Sequence, residues 1–129
     1  MRVGPGVVGE AAETVVSNWL ARSGWRILGR NVRVGRNELD IVAVDPGPPC
    51  RLVAVEVRWR RRPDHGRPEE TVDRRKLLRL RVALAAIAAA GRLPDGARLP
   101  PCVAAVDVVG VMPEGGRARL VHIRDVTLD

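Results

Sequence analysis

The stretch Leu52-Val53-Ala54-Val55-Glu56-Val57-Arg58-Trp59 decides how the chain is read. Its β-branched and apolar residues run almost without interruption. Such a run predicts a strand covered on both faces, hence one at the centre of a sheet. Side chains alternate along a strand, so Glu56 and Arg58 share a face. A carboxylate in a covered strand is costly unless a cation or hydrogen bonds compensate for lost water. The stretch therefore predicts both a sheet centre and a chemical group inside it.

Working back toward the N-terminus, Glu38 to Asp45 reads as a second strand and Trp25 to Val34 as a first. Gly35-Arg36-Asn37 is turn chemistry, and Pro46-Gly47-Pro48-Pro49 is a loop. Three strands on short connections predict an antiparallel meander. Before them, Val8, Ala12, Val15, Val16 and Trp19 recur at helical spacing. They predict a helix from Val7 to Arg22, with Leu20 at the edge of its apolar face and Gly24 as a stop. Met1 to Gly6 reads as a loose leader.

Working forward, Arg60 to Glu70 is a basic loop containing Pro63, Gly66 and Pro68. Thr71 to Ala90 is a second helix with Thr71 as N-cap; Leu77, Leu80, Leu84 and Ile87 share one face, and Gly91 ends it. After a loop from Leu93 to Pro101, Cys102 to Met112 and Arg119 to Val126 read as strands around the turn Pro113-Glu114-Gly115-Gly116. The order α-β-β-β-α-β-β predicts one α/β domain over residues 1–129. The second helix is the crossover that returns the chain to a mixed sheet covered by helices.

Glu38 and Asp40 put two more acids on the neighbouring strand. If the two strands pair, Asp40 approaches Glu56, and two close carboxylates invite a proton or a metal ion between them. Magnesium, or manganese, takes hard oxygen ligands and needs only one or two carboxylates. A metal beside a scissile phosphate activates water, and a nearby cation stabilises charge on phosphorus. Spacing alone leaves open a plainer reading, in which Glu56 and Arg58 bridge to neighbours on a solvated edge strand.

The chain of 129 residues carries a net charge of +7, which favours a polyanionic partner such as nucleic acid. Nearly all the positive charge is Arg; Lys76 is the sole Lys. No apolar run is long enough to cross a bilayer, and no secretory leader is visible, so a cytoplasmic protein without a membrane partner is expected. Cys50 and Cys102 lack metal-ligand spacing; a disulfide is open to them, but both read as small, partly buried, reduced residues. Trp19, Trp25 and Trp59 read as packing residues. Without Tyr or Phe the chain lacks the interleaved aromatics of single-strand readers, which favours recognition of duplex or branched backbone.

Several further pieces carry a resemblance across almost the whole chain. Gly9 to Leu20, with Glu13 inside it, resembles the opening helix of the YraN-like family of small uncharacterised bacterial proteins. Arg30-Asn31-Val32-Arg33 resembles its R-N-x-R stretch, and Asn37-Glu38-Leu39-Asp40-Ile41-Val42 its G-E-I-D-L-I stretch. Val55-Glu56-Val57-Arg58-Trp59-Arg60 resembles V-E-V-K/R-x-R, and Gly66 and Lys76 match the loop and helix that follow. Val106-Asp107-Val108-Val109 resembles F-D-V-V, and Val121-His122-Ile123-Arg124-Asp125 resembles the closing H-I-x-D.

The family is placed by similarity in the restriction-endonuclease-like, or PD-(D/E)xK, superfamily near archaeal Holliday-junction resolvases. The resemblance implies a three-layer α/β core and a magnesium-dependent endonuclease acting on DNA rather than RNA, at branched structures. It implies that Asp40 and Glu56 bind metal, that Glu13 supports them from the first helix, and that Arg58 occupies the place of the superfamily's catalytic Lys. Arg cannot serve as a base there, although it can grip phosphate; some YraN-like members also carry Arg. Lys76 offers an alternative amine, against the plainer reading of a surface helix residue. Asn37 stands where the family has Gly, and Asn tolerates the left-handed turn conformation.

Arg33, Arg60, Arg61, Arg62, Arg67, Arg74, Arg75 and Lys76 are candidate phosphate contacts, with Arg79 and Arg81 extending the basic surface and His65 a weaker candidate. Asp107 reads as structural, and His122 and Asp125 have no evident partner. A homodimer is implied only by analogy with resolvases, which cut two strands. Two rival readings stand beside the nuclease: a catalytically silent nucleic-acid-binding module, and a basic interaction protein with an acidic protein partner.

Overall fold

The computed structural model describes residues 5–60 and 72–127, with side chains from residue 9 onward. The elements follow the order α1 (Pro5–Arg22), β1 (Arg26–Val34), β2 (Asn37–Asp45), β3 (Arg51–Trp59), α2 (Arg74–Ala90), β4 (Val103–Glu114) and β5 (Arg117–Ile123). They form an open five-stranded sheet in the order β1-β2-β3-β4-β5. The first three strands are an antiparallel meander, β4 joins β3 in parallel, and β5 returns antiparallel to β4. A parallel pair requires a long crossover, and α2 lies within that connection.

The helices cover opposite faces. Ala12, Val16 and Leu20 of α1 pack with Ile41, Ala43, Val53, Val55, Val109 and Val111. Leu77, Leu80, Ala83, Leu84 and Ile87 of α2 pack with Val42, Leu52, Ala54, Val106 and Val108. The result is a three-layer α/β/α arrangement, consistent with a restriction-endonuclease-like core. β3 is central and buried from Leu52 to Glu56. Among the described residues no helix is long and apolar enough to cross a membrane.

Several boundaries and roles differ from expectation. Pro5 and Gly6 belong to α1, in keeping with the preference of Pro for a first helical turn. The buried stripe of α1 is Ala12-Val16-Leu20; Leu20 belongs to it rather than to its edge, and Val15 is exposed. The stripe is an i, i+4 row, and Val15 stands about 100° round the helix from Val16. Helix α2 is capped by Asp73, whose Oδ1 accepts from Lys76 N at 2.7 Å; Thr71 lies outside the described residues. Asp73 holds the favoured position for bonding the amide three residues on.

Asn37 opens β2 opposite Val34, so the hairpin turn is Gly35-Arg36 and positive φ falls on Gly35. Gly at the first position of a two-residue turn matches the twist of the strands. Pro113 and Glu114 extend β4, leaving Gly115-Gly116 as the turn. Trp25 is buried, but Trp59 is exposed at the end of β3.

Cys50 and Cys102 form a disulfide, contrary to the reduced state expected. The cause is the β3–β4 register. Arg51 pairs with Val103, which sets the preceding cysteines abreast at a Cα–Cα distance of 5.2 Å, inside the bridging range.

Candidate functional site

The meander registers place three residues on one row. Arg30↔Ile41 and Val32↔Leu39 bracket Asn31 opposite Asp40. One step beyond Ile41↔Val55, Asp40 stands opposite Glu56. The row coincides with a break in alternation: Leu39 packs on the α2 side, while Ile41 packs on the α1 side. Asn31 has a left-handed φ of 50° at the same level. The β2–β3 ladder stops here, and Asp40 Oδ2 accepts from Val57 N at 2.9 Å in place of a backbone partner.

Glu56 is 5 % exposed. Its Oε2 is buried and has no hydrogen-bond donor among the described residues. Lys76 Nζ of α2 stands 3.5 Å from that oxygen and Arg58 Nη2 3.9 Å from it. Burial pushes the Glu56 carboxyl up to about 8, and its contact with Asp40 adds to the rise; Lys76 and Arg58 oppose it. A buried acid that shares a site with another acid resists ionisation.

Glu13 comes from α1 and is mostly buried, with Oε2 3.8 Å from Arg30 Nη2. Burial first, and then Asp40, raises its carboxyl, while Arg30 and a hydrogen bond with Asn31 lower it. Glu13 thus neighbours Asp40, Asp40 neighbours Glu56, and Arg58 approaches Glu56, a chain of pairwise approaches rather than three acids gathered at one point. Lys76 approaches Glu56 as well, with its side chain still about a third exposed. It precedes the buried Leu77, and α2 carries it over the central strand.

Other expected groups fall elsewhere. Glu38 is half-exposed against Arg33 at 4.0 Å. Arg74, Arg75 and Arg79 are exposed. Arg81 instead donates to Val126 O at 2.6 Å. Arg60 Nη2 and Arg58 Nε are buried without an acceptor among the described residues. Arg61, Arg62, His65 and Arg67 lie outside the described residues.

A second polar cluster, at the start of β3 and on the other face, escaped sequence reading. Asp107 is fully buried and accepts from Arg51 Nη1 and Nη2 at 3.0 Å, from His122 Nε2 at 2.8 Å and from Asp125 N at 2.9 Å. Arg51 also donates to Asp45 and Asp125, and Trp19 and Trp25 flank His122. Every charge in it is answered, which makes it a tie between β3, β4 and the C-terminal segment. The structural role expected for Asp107 fits this network, and His122 and Asp125 gain named partners.

The residues fit a divalent cation at Asp40 and Glu56. Among the described residues no three His, Cys, Asp or Glu side chains are already gathered as a metal site. Two adjacent carboxylates, one with an unanswered buried oxygen, are nonetheless the donor set that magnesium needs.

Comparison with known proteins decides the family. The model of an uncharacterised protein family, UPF0102, matches residues 12–111. The chain belongs to the UPF0102 family. The matched span contains Glu13, Asp40, Glu56, Arg58 and Lys76. A UPF0102 protein of Symbiobacterium thermophilum is 43% identical over 114 residues, covering 87% of this chain and 88% of the relative. One from an Arthrobacter species is 36% identical over 121 residues, covering 93% and 95%. One from Cytophaga hutchinsonii is 31% identical over 120 residues, again covering 93% and 95%. These three relatives thus match nearly the full length of this chain.

Proposed function

We propose that this UPF0102 protein is a divalent-metal-dependent endonuclease acting on DNA, at branched structures. The observation that carries the reading is the Asp40–Glu56 pair, whose buried Glu56 oxygen is unanswered except by the approach of Lys76 and Arg58.

Asp40 and Glu56 would hold magnesium or manganese, with Glu13 supporting them from α1. Bound there, the ion supplies Lewis-acid polarisation of a phosphoryl oxygen and a more acidic water. The protein's own groups do the rest. Asp40 is fixed by the Val57 amide, so its carboxylate is preorganised. Arg58 supplies a permanent positive charge and forked donors for phosphate oxygens. Lys76 supplies the amine that the motif position lacks. Of the two cations only the amine can exchange its proton, because a guanidinium keeps its own, so proton transfer is assigned to Lys76 and charge stabilisation to Arg58. Exposed Arg74, Arg75 and Arg79 hold the DNA backbone, which makes binding strongly salt-dependent. Cutting both strands of a branch calls for two copies of the chain, and a DNA substrate sets the cytoplasm as the working compartment.

A silent nucleic-acid-binding module is the second reading. It is favoured by the fact that Lys76 and Arg58 already offset Glu56 without a metal. Calorimetric titration of magnesium and manganese into wild type and Asp40→Ala, with cleavage of labelled branched and linear DNA, separates the two. The nuclease reading expects metal binding that is lost in the variant and cleavage by wild type alone. Absence of both in wild type transfers the assignment to the silent module.

A further inference from the structure

Strand β1 leaves its regular course twice beside the carboxylate row. Its register shifts between Ile27 and Gly29, and Asn31 adopts the left-handed conformation. Asn is among the few non-glycine residues that adopt this conformation readily, and such breaks in a strand re-aim the neighbouring side chains. Here the two irregularities border a cavity of about 280 Å³ between β1 and the segment that follows α2.

Val32, Leu93 and Pro94 give the cavity apolar walls, and Arg30, Arg33 and Asp95 give it a charged rim. Gly29 has no room for a side chain: a Cβ would lie 2.9 Å from Val32 Cγ2 and 3.3 Å from Leu93 Cδ1. Apolar walls with a few donors and acceptors at the rim are the features of a small-ligand pocket. Its volume, at the low end for such pockets, suits a single planar ring system.

The cavity is joined to the carboxylates by its own residues. Arg30 Nη2 stands 3.8 Å from Glu13 Oε2, and Asn31 stands opposite Asp40 across the β1–β2 pair. Asn31, Asp40 and Glu56 share one row across three strands, so Asn31 lies about 10 Å from Glu56. That span is comparable with the distance from a phosphate to the far edge of its own base. The rim also meets a nucleotide's charge, since Arg30 and Arg33 suit phosphate and Asp95 can accept from a base.

We infer that this cavity receives one unpaired base of a nucleic-acid strand whose phosphate lies at Asp40 and Glu56. The inference rests on the nuclease reading for its choice of ligand and supplies its substrate class. Extracting a base from an intact duplex is costly, whereas a bulge, mismatch or branch point offers one already unstacked. The protein therefore selects DNA with an unpaired nucleotide over uniform duplex. Apolar walls take the place of an aromatic platform in this cavity, whose lining contains no Trp, Tyr or Phe.

The test reads binding in the presence of EDTA, so that it does not depend on turnover. Two duplexes are compared, one fully paired and one with a single bulged 2-aminopurine, against wild type and Pro94→Trp. Pro94 is exposed, so the larger side chain fills the mouth without entering the core; an unfolding temperature near that of wild type verifies this. Wild type should bind the bulged duplex at least about tenfold more tightly and change the probe's fluorescence. In Pro94→Trp the ratio of affinities should fall toward one. Equal affinities in wild type, a preference undiminished in Pro94→Trp, or no DNA binding at all would overturn the proposal. A bulge preference without cleavage in magnesium would uphold the pocket and sink the nuclease reading, so the two failures are distinct.

Discussion

Lys76 Nζ, on the first turn of α2, stands 3.5 Å from Glu56 Oε2 in the middle of the sheet. The contact links the crossover helix to the central strand and puts the sole Lys of the chain at its most perturbed carboxylate. Arg58, two residues along the strand, reaches the same oxygen at 3.9 Å.

Removing the Lys76 amine should therefore cost more turnover than an equivalent change at Arg58. Lys76→Met is expected to lower kcat by about 10²–10⁴. Lys76→Arg should not restore it, because Arg keeps its proton. Arg58→Lys should retain most activity. The check is single-turnover cleavage of the DNA that wild type cuts; a fully active Lys76→Met would remove Lys76 from the chemistry.

Metal-free stability should fall with rising pH on account of Glu56. Its carboxyl is raised from an ordinary 4.5 to about 8 in the folded protein. Between those values the folded chain keeps a proton that the unfolded chain has lost. Its stabilising effect is complete below about 4.5 and is lost as pH rises through about 8. Glu56→Gln should thus be more stable than wild type at pH 8 in EDTA, by on the order of a few kcal/mol, with the gap closing at pH 5. Magnesium should narrow the gap at pH 8. Thermal unfolding at the two pH values measures it, and parallel curves for both proteins would refute it.

Asp107 predicts the opposite trend in acid. Burial alone would raise its carboxyl, but hydrogen bonds from His122, Arg51 and the Asp125 amide hold it below the ordinary value. The Gly47 amide, Arg51 and Arg124 likewise overcome burial at Asp45. Their contribution is present above the unfolded value of about 3.8 and is lost as pH falls through the lower folded values. Asp107→Ala leaves Arg51 buried without its main partner and should cost about 3–5 kcal/mol. Denaturant unfolding at pH 7 checks the magnitude, and a flatter acid limb in the variant checks the cause.

Cys50 and Cys102 tie the starts of β3 and β4 together across a sequence separation of 52. Reduction, or Cys102→Ser, should lower stability by about 2–4 kcal/mol, chiefly by freeing the unfolded chain. An unfolding temperature unaffected by reductant would show that the thiols are not bridged in solution.

The sheet centre and the acids were legible because both are written in local periodicity. Leu52 to Trp59 announced a covered strand, but the β1–β2 register did not follow from the turn: with Asn37 read into it Asn31 would face Ile41, and only the two-residue turn Gly35-Arg36 sets Asn31 opposite Asp40. Lys76 could be named from the sequence as an alternative amine, but a surface helix position was equally open to it. Its place beside Leu77 was visible, whereas the way α2 lies over the central strand was not. Leu20 and Val15 exchanged roles for a similar reason: an amphipathic helix fixes its stripe only when it meets a particular surface.

The sequence by itself determined the order of elements, the family and the choice of Asp40 and Glu56 as candidate site acids, since alternation, turn residues and motif spacing are properties of neighbours along the chain. The tertiary structure alone decided the Cys50–Cys102 bridge, the Arg51–Asp107–His122 network and the approach of Lys76 to Glu56. Each joins segments that meet only once the parallel β3–β4 pair has formed and α2 has packed across it, and no local pattern encodes that register.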